Sequence, residues 1–250
     1  MPLTKFMINS ASSYVVTGSR AKKYLIGLGA KSKKIFIGYS TVDINYFRTK
    51  SKISKSEINR LKRKLNIDLK DKVVMFNGQL IQRKGIYDLI DAFKKLLETH
   101  SSTSLLLVGY GQEYENIKKV LGNSSLSTKV IMTGFVQNNK LPKYYALADV
   151  FVLPSREETW GLVVNEAMAC GCPVIVGNRV GSSADLVKQG VNGLVFKSGD
   201  VEDLYQTLYK MISNDKQRKM MAASARKDIN NFGLENIVIA IRSAVGAVVN

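Results

Sequence analysis

Two carboxylates, Glu158 and Glu166, lie eight residues apart on either side of Gly161. A fully helical spacing would separate them by about 12 Å. If Glu158 instead lies in the polar loop before Gly161, the two side chains can flank a ligand placed over the helix that Gly161 opens. The N–H groups at a helix start suit a phosphate, whereas carboxylates repel phosphate and accept hydrogen bonds from hydroxyls. The pattern favours a ligand with central phosphates, a sugar at one end and a ribose at the other. The alternative is that Glu166 only faces solvent.

A second candidate site is the pair of cations Arg83 and Lys84, which stand directly before Gly85 at the predicted start of a helix. The positive end of the helix dipole disfavours Lys and Arg at this place. Two cations there lower stability slightly unless an anion lies between them. The pair therefore predicts a phosphate-binding loop, with a solvated loop as the alternative.

Glycines recur at the predicted turns between strands and helices, at Gly78, Gly85, Gly109, Gly111 and Gly134. A single glycine of this kind can simply relieve a tight backbone. Together they predict open backbone edges along one end of a sheet, which suits a nucleotide. The sequence contains neither a Gly-x-Gly-x-x-Gly fingerprint nor a Walker P-loop, so NAD binding and ATP hydrolysis are disfavoured.

The elements that must position these groups alternate regularly from residue 72 onward. Short apolar runs predict buried strands, and apolar residues at helical spacing predict helices between them. This alternation predicts an α/β fold with a doubly wound, Rossmann-like parallel sheet, which binds ligands at the carboxyl ends of its strands. Before residue 72 we expect a strand, a helix capped by Ser19, a second strand, a loop over 38–47 and a basic helix over 54–65. The six strands of the main sheet are predicted over 73–76, 104–108, 129–133, 150–153, 174–176 and 193–196.

The net charge of +17 is concentrated in the first third of the chain. Residues 1–72 hold 17 Lys and Arg against four acids, and the remaining 178 residues hold 20 against 16. Such an excess is compatible with a solvated lysine-rich surface, nucleic acid, an anionic membrane surface or an acidic partner domain. No aromatic residues interleave with the basic run over 50–64, so nucleic acid is disfavoured.

Cys170 and Cys172 are the only cysteines, and their apolar context predicts two buried packing residues in a reducing compartment. With a single histidine, His100, a metal site is not expected. Nothing in the sequence resembles a signal peptide. No run approaches 18 uninterrupted apolar residues, so we expect no transmembrane helix.

The stretch around the two glutamates resembles the signature of the retaining GT-B glycosyltransferases of family 4, which carry a Glu-x7-Glu motif. The resemblance extends over about residues 12–232, and the segment 43–47 is similar to the one that joins the two domains in that family. The matching motifs are Pro154-Ser155 … Glu158-x-x-Gly161 … Glu166-Ala167-Met168-Ala169-x-Gly171-x-Pro173-Val174-Ile175, Gly78-x-Leu80-x-x-x-Lys84-Gly85, Val108-Gly109-x-Gly111, Gly134-Phe135-Val136, Ala148-Asp149 and Asn192-Gly193-Leu194-Val195.

The resemblance implies a role for each candidate residue. As catalytic residues, Lys84 would bind the donor pyrophosphate and stabilise the leaving phosphate, and Glu158 would contact donor-sugar hydroxyls near the reacting centre. Glu166 would hold the ribose hydroxyls. No metal and no cofactor is expected, because fixed cations and a helix start would supply the electrostatics. The other implied donor contacts are the backbone of Gly161, Leu162 and Val163 on the pyrophosphate, the turn Gly134, Phe135 and Val136 on the base, and Gly78, Gln79, Arg83 and Gly109.

Two positions depart from the family pattern. The family commonly has Arg directly after the first-strand glycine, where this chain has Gln79, so one bidentate cation is lost and Arg83 is the candidate substitute. Where family members often have Gly-Gly-x-x-Glu, this chain has Gly-Ser-Ser-Ala-Asp over 181–185. His100 does not correspond to the acceptor-side histidine of the family.

The resemblance assigns the chain to the C-terminal half of a GT-B fold. Residues 1–70 would be a remnant of the acceptor domain and a basic connector, 71–232 the nucleotide-sugar-binding domain, and 233–250 a helix that packs on the missing acceptor domain. We expect a truncated form or one subunit of a split enzyme. Its function would be transfer of a hexose from a UDP- or GDP-sugar to a glycan or lipid-linked acceptor in polysaccharide biosynthesis. We expect it in the cytoplasm, peripherally at the inner face of an anionic membrane. The alternatives are a noncatalytic binding or scaffold subunit and a GT-B sugar-nucleotide epimerase.

Overall fold

A computed structural model of the chain describes residues 7–8, 10–122 and 124–249. Within these residues the larger sheet has six parallel strands, β3 (Lys72–Asn77), β4 (Thr103–Val108), β5 (Val130–Gly134), β6 (Val150–Leu153), β7 (Val174–Gly177) and β8 (Gly193–Phe196). Their order in the sheet is β5-β4-β3-β6-β7-β8. Because β3 pairs with both β4 and β6, the strand order reverses at β3, and loops diverge from the carboxyl ends of β3 and β6. The predicted doubly wound parallel sheet is therefore confirmed.

Strands of the larger sheet are buried on both faces, which explains their continuous apolar runs. The four residues from Val73 to Phe76 in β3 are fully buried, as are Leu105 to Leu107 in β4 and all of β6. One core surrounds the sheet and includes the inner faces of the flanking helices. Those helices are α2 (Ile44–Lys50), α3 (Lys55–Lys64), α4 (Ile86–Leu97), α5 (Tyr114–Gly122), α6 (Leu141–Leu147), α7 (Leu162–Ala169), α8 (Ser183–Leu186), α9 (Val201–Ser213) and α10 (Asp215–Asp228).

A smaller unit precedes this sheet. Strands β1 (Tyr14–Val16) and β2 (Ile35–Ile37) pair in parallel, joined by α1 (Ser19–Gly27), and have a small hydrophobic cluster of their own. The last helix, α11 (Leu234–Val249), packs against both strands. Gly38 allows this close approach, because a Cβ there would lie 3.2 Å from the Cβ of Ala240. The proposed segment boundaries at residues 70 and 232 stay a prediction, and residues 1–6, 9 and 250 of these segments lie outside the described residues.

Two local predictions before residue 72 are wrong. The segment over 38–47 is not all loop, because α2 begins at Ile44. Asp43 caps α2 by accepting a hydrogen bond from the Tyr46 N–H at 2.8 Å, and Phe47 is buried, so the cap and the apolar face were both present in the sequence. Ser19 is the first residue of α1 rather than its N-cap, a position that Gly18 occupies without a side-chain bond.

The C-terminal helices include one stretch, Asp215–Val249, that is long and apolar enough to cross a membrane by length and composition alone. Extended backbone at Gly233 interrupts this stretch. The continuous apolar helix is thus α11, whose 16 described residues span about 24 Å. In α11, predicted to pack on a missing acceptor domain, Ile239, Ile241 and Val245 are exposed, and that packing stays a prediction.

Candidate active site

The loop after β6 carries the first carboxylate and turns into α7 at Gly161. Gly161 has a φ of +90°, in the left-handed region that favours glycine. A Cβ at this position would lie 2.8 Å from Cδ2 of Leu153 at the end of β6, so the turn has no room for a side chain. No side chain caps α7, so N–H groups of its first turn lack a side-chain partner at the loop that follows β6. Leu162 is exposed and Val163 is half-buried at this helix start.

Lys84 and Glu158 form a salt bridge at this edge of the sheet. Their side chains are only 13% and 15% exposed, so the pair is largely removed from water. Lys84 ends a 3-10 turn over Gln82–Lys84 that follows β3, and Glu158 comes from the loop that follows β6. The structure thus brings the two predicted catalytic residues into contact, although 74 residues separate them.

Backbone and side-chain bonds hold these two loops together. The N–H of Arg156 donates to the carbonyl of Arg83 at 2.8 Å. The Arg156 guanidinium also binds Asp88 of α4 through two hydrogen bonds of 3.0 and 2.7 Å, and Asp88 is buried. This bidentate pair fixes the geometry more firmly than a single contact would. Arg83 itself is exposed and donates to the carbonyl of Glu157 at 3.3 Å.

Glu166 lies on α7 and is partly buried rather than facing solvent. The hydroxyl of Tyr145 donates to its Oε2 at 2.7 Å, and the amide of Asn77 donates to that hydroxyl at 2.9 Å. Burial raises the pKa of Glu166 to about 7, while the hydrogen bond from Tyr145 opposes this rise. Burial and the nearby Glu166 carboxylate also raise the pKa of Tyr145 well above its usual value. Near neutral pH, Glu166 is therefore poised between its acidic and ionised forms.

A cleft of about 450 Å³ opens at the carboxyl ends of β3, β4 and β5. Its wall includes Phe135, 79% exposed, and Val136 in the turn after β5. A neighbouring cleft of about 640 Å³ continues along the same edge and shares Gln79 and Tyr110 with the first. Arg83 lines this second cleft. The two form one groove across the predicted nucleotide side of the sheet.

Glycines bring backbone segments together along this groove. Gly109 has a φ of +130°, and a Cβ on it would lie 1.9 Å from the carbonyl oxygen of Gly78. Both residues line the first cleft. Gly134, with a φ of +68°, has open space around it, so only its backbone conformation requires glycine.

The predicted donor residues are therefore distributed over connected parts of one edge. Gly78, Gln79, Gly109, Phe135 and Val136 line the first cleft. Glu166 is linked to that cleft indirectly, because Tyr145 donates to Glu166 and accepts a hydrogen bond from Asn77 in the cleft lining. Glu158 instead lines a separate hollow of about 280 Å³, shared with Arg20 of α1. The roles assigned to these residues remain predictions.

Sequence reasoning missed the groups that position the two glutamates. No sequence pattern singled out Tyr145 in α6 or connected it to Glu166. Trp160 was overlooked as well, although its indole N–H donates to Asn165 at 3.0 Å. The carboxylate of Asp185, in the segment that departs from the family pattern, accepts the Ser19 N–H at 3.1 Å. That acid is therefore engaged with α1.

The two cysteines and the single histidine have contacts typical of structural residues. Cys170 and Cys172 are both free and buried, as predicted, and burial raises the pKa of Cys170 to about 12. His100 bonds Thr99 and Ser213 before β4 begins, at the opposite end of the strand from Gly109. Among the described residues, no group of three or more His, Cys, Asp and Glu could hold a metal ion.

Comparison with known proteins gives matches to glycosyltransferases. Residues 57–228 match the family model described as glycosyl transferases group 1. The chain is 31% identical over 195 residues to the uncharacterized glycosyltransferase MJ1607 of Methanocaldococcus jannaschii, covering 78% of this chain and 50% of that protein. It is 30% identical over 161 residues to the GDP-mannose-dependent alpha-(1-6)-phosphatidylinositol monomannoside mannosyltransferase of Mycolicibacterium smegmatis, covering 62% and 42%.

Solved structures give the same result at the level of the fold. Anabaena Alr3699/HepE in complex with UDP superposes with a TM-score of 0.82 at 25% identity, covering 95% of this chain and 64% of that one. The chain spans about half the length of the curated relatives it matches. The family model covers more than half of the chain, and the chain belongs to the glycosyl transferases group 1 family.

Proposed function

We propose that this chain forms the donor-binding half of a retaining glycosyltransferase that transfers a hexose from a UDP- or GDP-sugar to a glycan or lipid-linked acceptor. The observation that carries the proposal is the Lys84–Glu158 pair beside the uncapped start of α7. This edge offers a cation, a carboxylate and backbone N–H groups to one ligand. The Anabaena neighbour was solved with UDP, and the name of the mycobacterial relative gives GDP-mannose as donor and a lipid-linked mannoside as acceptor.

The pyrophosphate of a donor would take the place of Glu158 beside the Lys84 ammonium. A departing nucleoside diphosphate gains negative charge, which Lys84 and the N–H groups of α7 would stabilise in a site already shielded from water. Glu158, released from its cation, would then accept hydrogen bonds from donor-sugar hydroxyls. The salt bridge in the free protein keeps both groups paired until the donor arrives.

The nucleoside would lie along the groove on the other side of α7. Glu166 would accept hydrogen bonds from both ribose hydroxyls, which requires its ionised form. Phe135 and Val136 offer an exposed apolar wall for the base. Arg83 in the adjoining cleft would supply the cation that Gln79 does not.

Thermal unfolding with nucleotide sugars tests this proposal. A UDP- or GDP-sugar at about 100 times its Kd stabilises the fold by about 2.7 kcal/mol, which raises the Tm by about 5–11 °C. No shift with either nucleotide series at millimolar concentration would refute donor binding.

Titration calorimetry of the Lys84→Met variant tests whether the donor binds at the sheet edge that carries Lys84. Loss of a charge-assisted hydrogen bond of about 1.5–3 kcal/mol lowers donor affinity about 10- to 150-fold. Lys94→Met, which removes an exposed lysine from α4, is the matched control and leaves the affinity unchanged. Equal affinities for the two variants would contradict the role of Lys84.

A further inference from the structure

Another concave surface lies between α3 and α6, and neither Lys84 nor Glu158 lines it. It has a volume of about 390 Å³, and we call it the α3–α6 groove. The two helices pack against each other along it. Ile53, Leu61 and Tyr144 contribute apolar surface to its lining, and all three are half-buried. A groove of this kind accepts the apolar part of a ligand while its rim remains in water.

Cations line the rim from both helices. On α3, Arg60 and Lys64 are four residues apart and thus neighbours on one face. On the other side of the groove, Lys140 directly precedes α6 and Lys143 lies in its first turn. All four side chains are exposed. Two of these four cations come from outside the basic N-terminal third, so the folded structure concentrates more charge here than the sequence indicated.

Only one acid lines the groove. Glu57 lies 3.6 Å from the Nζ of Lys143 and also accepts the Ser54 N–H at 3.0 Å, so it is committed to capping α3. Within the part of the chain that the structure describes, Arg60, Lys64 and Lys140 form no ion pair. The groove is therefore an apolar floor bordered by three uncompensated cations.

The rim is held in a fixed orientation by the opposite side of α3. Lys62 is buried there, and its ammonium donates to the carbonyls of Asp71 at 2.6 Å and Leu69 at 3.2 Å. This anchor ties α3 to the start of β3. The face of α3 that carries Arg60 and Lys64 consequently stays on the groove side.

We propose that the α3–α6 groove docks the chain on an anionic membrane surface, with lipid phosphates at the cationic rim and the glycerol and upper acyl region against the apolar floor. Charge complementarity carries this choice of partner, because each Lys or Arg near such a surface strengthens binding about fivefold. Single-stranded nucleic acid fits less well, since Tyr144 is the only aromatic in the lining and is half-buried, so bases have no exposed stacking platform.

Docking there places the donor cleft at the membrane. Asn139 and Lys140 line the α3–α6 groove, whereas the flanking residues Asn138 and Leu141 line the cleft beside Phe135. The two surfaces thus share one segment of four residues, 138–141, and lie next to each other. A membrane on one side brings a lipid-linked acceptor close to the other, a consequence that rests on the proposed function.

Sedimentation with lipid vesicles tests the docking surface. We expect binding to phosphatidylcholine vesicles that contain about 30% phosphatidylglycerol, little binding to phosphatidylcholine alone, and weakening at high salt. The variant Arg60→Gln, Lys64→Gln, Lys140→Gln lowers the partition coefficient about 100-fold.

The matched control removes three exposed lysines from α10, through Lys216→Gln, Lys219→Gln and Lys227→Gln. It has the same net charge as the groove variant and retains vesicle binding within about threefold, since these lysines are outside the groove. An equal loss in both variants would show an effect of net charge alone and overturn the proposal. Absence of vesicle binding, or groove-dependent binding of RNA without vesicle binding, would overturn it as well.

The donor-induced Tm shift is measured on the same proteins. All three are expected to show it, which establishes that the variants fold. A missing shift in the wild-type chain with intact vesicle binding would refute the proposed function and leave the docking surface standing.

Discussion

Replacing Glu166 by Gln removes a carboxyl group whose pKa burial raises from 4.5 to about 7. The amide oxygen of Gln can still accept the hydrogen bond that Tyr145 donates to Oε2. The substitution therefore removes the titration while it keeps the shape and the principal contact. Its effect on stability should depend strongly on pH.

The magnitude follows from the difference between the two pKa values. Because the folded state holds the proton more tightly than the unfolded state, the stabilisation is complete below pH 4.5 and is lost as the pH rises through about 7. A shift from 4.5 to about 7 corresponds to at most about 3 kcal/mol. Relative to Glu166→Gln, the wild-type protein should lose up to about 3 kcal/mol between pH 4.5 and pH 8, or about 6–12 °C in Tm.

Urea unfolding of both proteins at several pH values between 4.5 and 8 measures this difference. The matched control is Glu157→Gln, which removes an exposed carboxylate from the neighbouring loop and should follow the wild-type curve. If the stability difference between wild type and Glu166→Gln stays constant across this range, the burial argument is wrong.

Under the proposed function, the same carboxyl group links stability to donor binding. Ribose hydroxyls need the ionised form as acceptor, so the affinity for a nucleotide sugar should rise as the pH increases through about 7. Titration calorimetry measures this, and Glu166→Gln should bind weakly with no such pH dependence. If the affinity of the wild-type chain does not change between pH 6 and pH 8, the proposed contact between Glu166 and the ribose is wrong.

Two further substitutions test the framework around the site. Gly85→Ala places a Cβ 2.2 Å from a backbone oxygen at a φ of +69° and should cost about 2 kcal/mol or more in urea unfolding. Gly27→Ala, in open space on α1, is its control and should be neutral or stabilising; equal effects would contradict the steric argument. Asp185→Ala removes the acceptor of the Ser19 N–H and should cost about 1 kcal/mol, with faster amide hydrogen exchange in the first turn of α1. Unchanged exchange there would show that this bond does not hold the helix.

Local patterns predicted the larger sheet well because its strands are buried on both faces. The bounds of β6 and β8 agree with the prediction, since Asp149 and Pro154 flank the first run and Asn192 and Lys197 flank the second. The helix α2 was missed because its cap, Asp43, lies in a segment dominated by turn residues. Ser19 was misplaced for a different reason: the acceptor of its N–H is Asp185, 166 residues later, which no local pattern can indicate.

The candidate site also has a part that local sequence patterns predicted and a part that they could not. Its residue types and spacing indicated a phosphate flanked by hydroxyl acceptors, and the fold brings Lys84 and Glu158 together. The environment of Glu166 was beyond reach, because it depends on the packing of α6 against α7 and on the Tyr145 hydroxyl 21 residues earlier. Its raised pKa is a consequence of that packing rather than of any neighbour in the sequence.

The position of Glu158 depends on contacts between the loop it occupies and the smaller N-terminal unit. The carbonyl of Glu158 accepts a hydrogen bond from the Gly181 N–H at 2.8 Å. In the same loop, the carbonyl of Trp160 accepts one from the Ser182 N–H at 3.0 Å. Asp185, just beyond these donors, binds the first turn of α1.

Trp160 connects the same loop to the smaller unit by a second route. Its indole donates to Asn165, whose amide in turn donates to the carbonyl of Ser40 at 3.3 Å. The loop that carries Glu158 is therefore connected to α1 through the segment 181–185, and to Ser40, just after β2, through Trp160 and Asn165. Loss of the contact between Asp185 and α1 can thus shift the Glu158 carboxylate without touching it. Under the proposed function, we expect Asp185→Ala to weaken donor-sugar contacts at Glu158 more than nucleoside contacts at Glu166, whose carboxylate binds Tyr145.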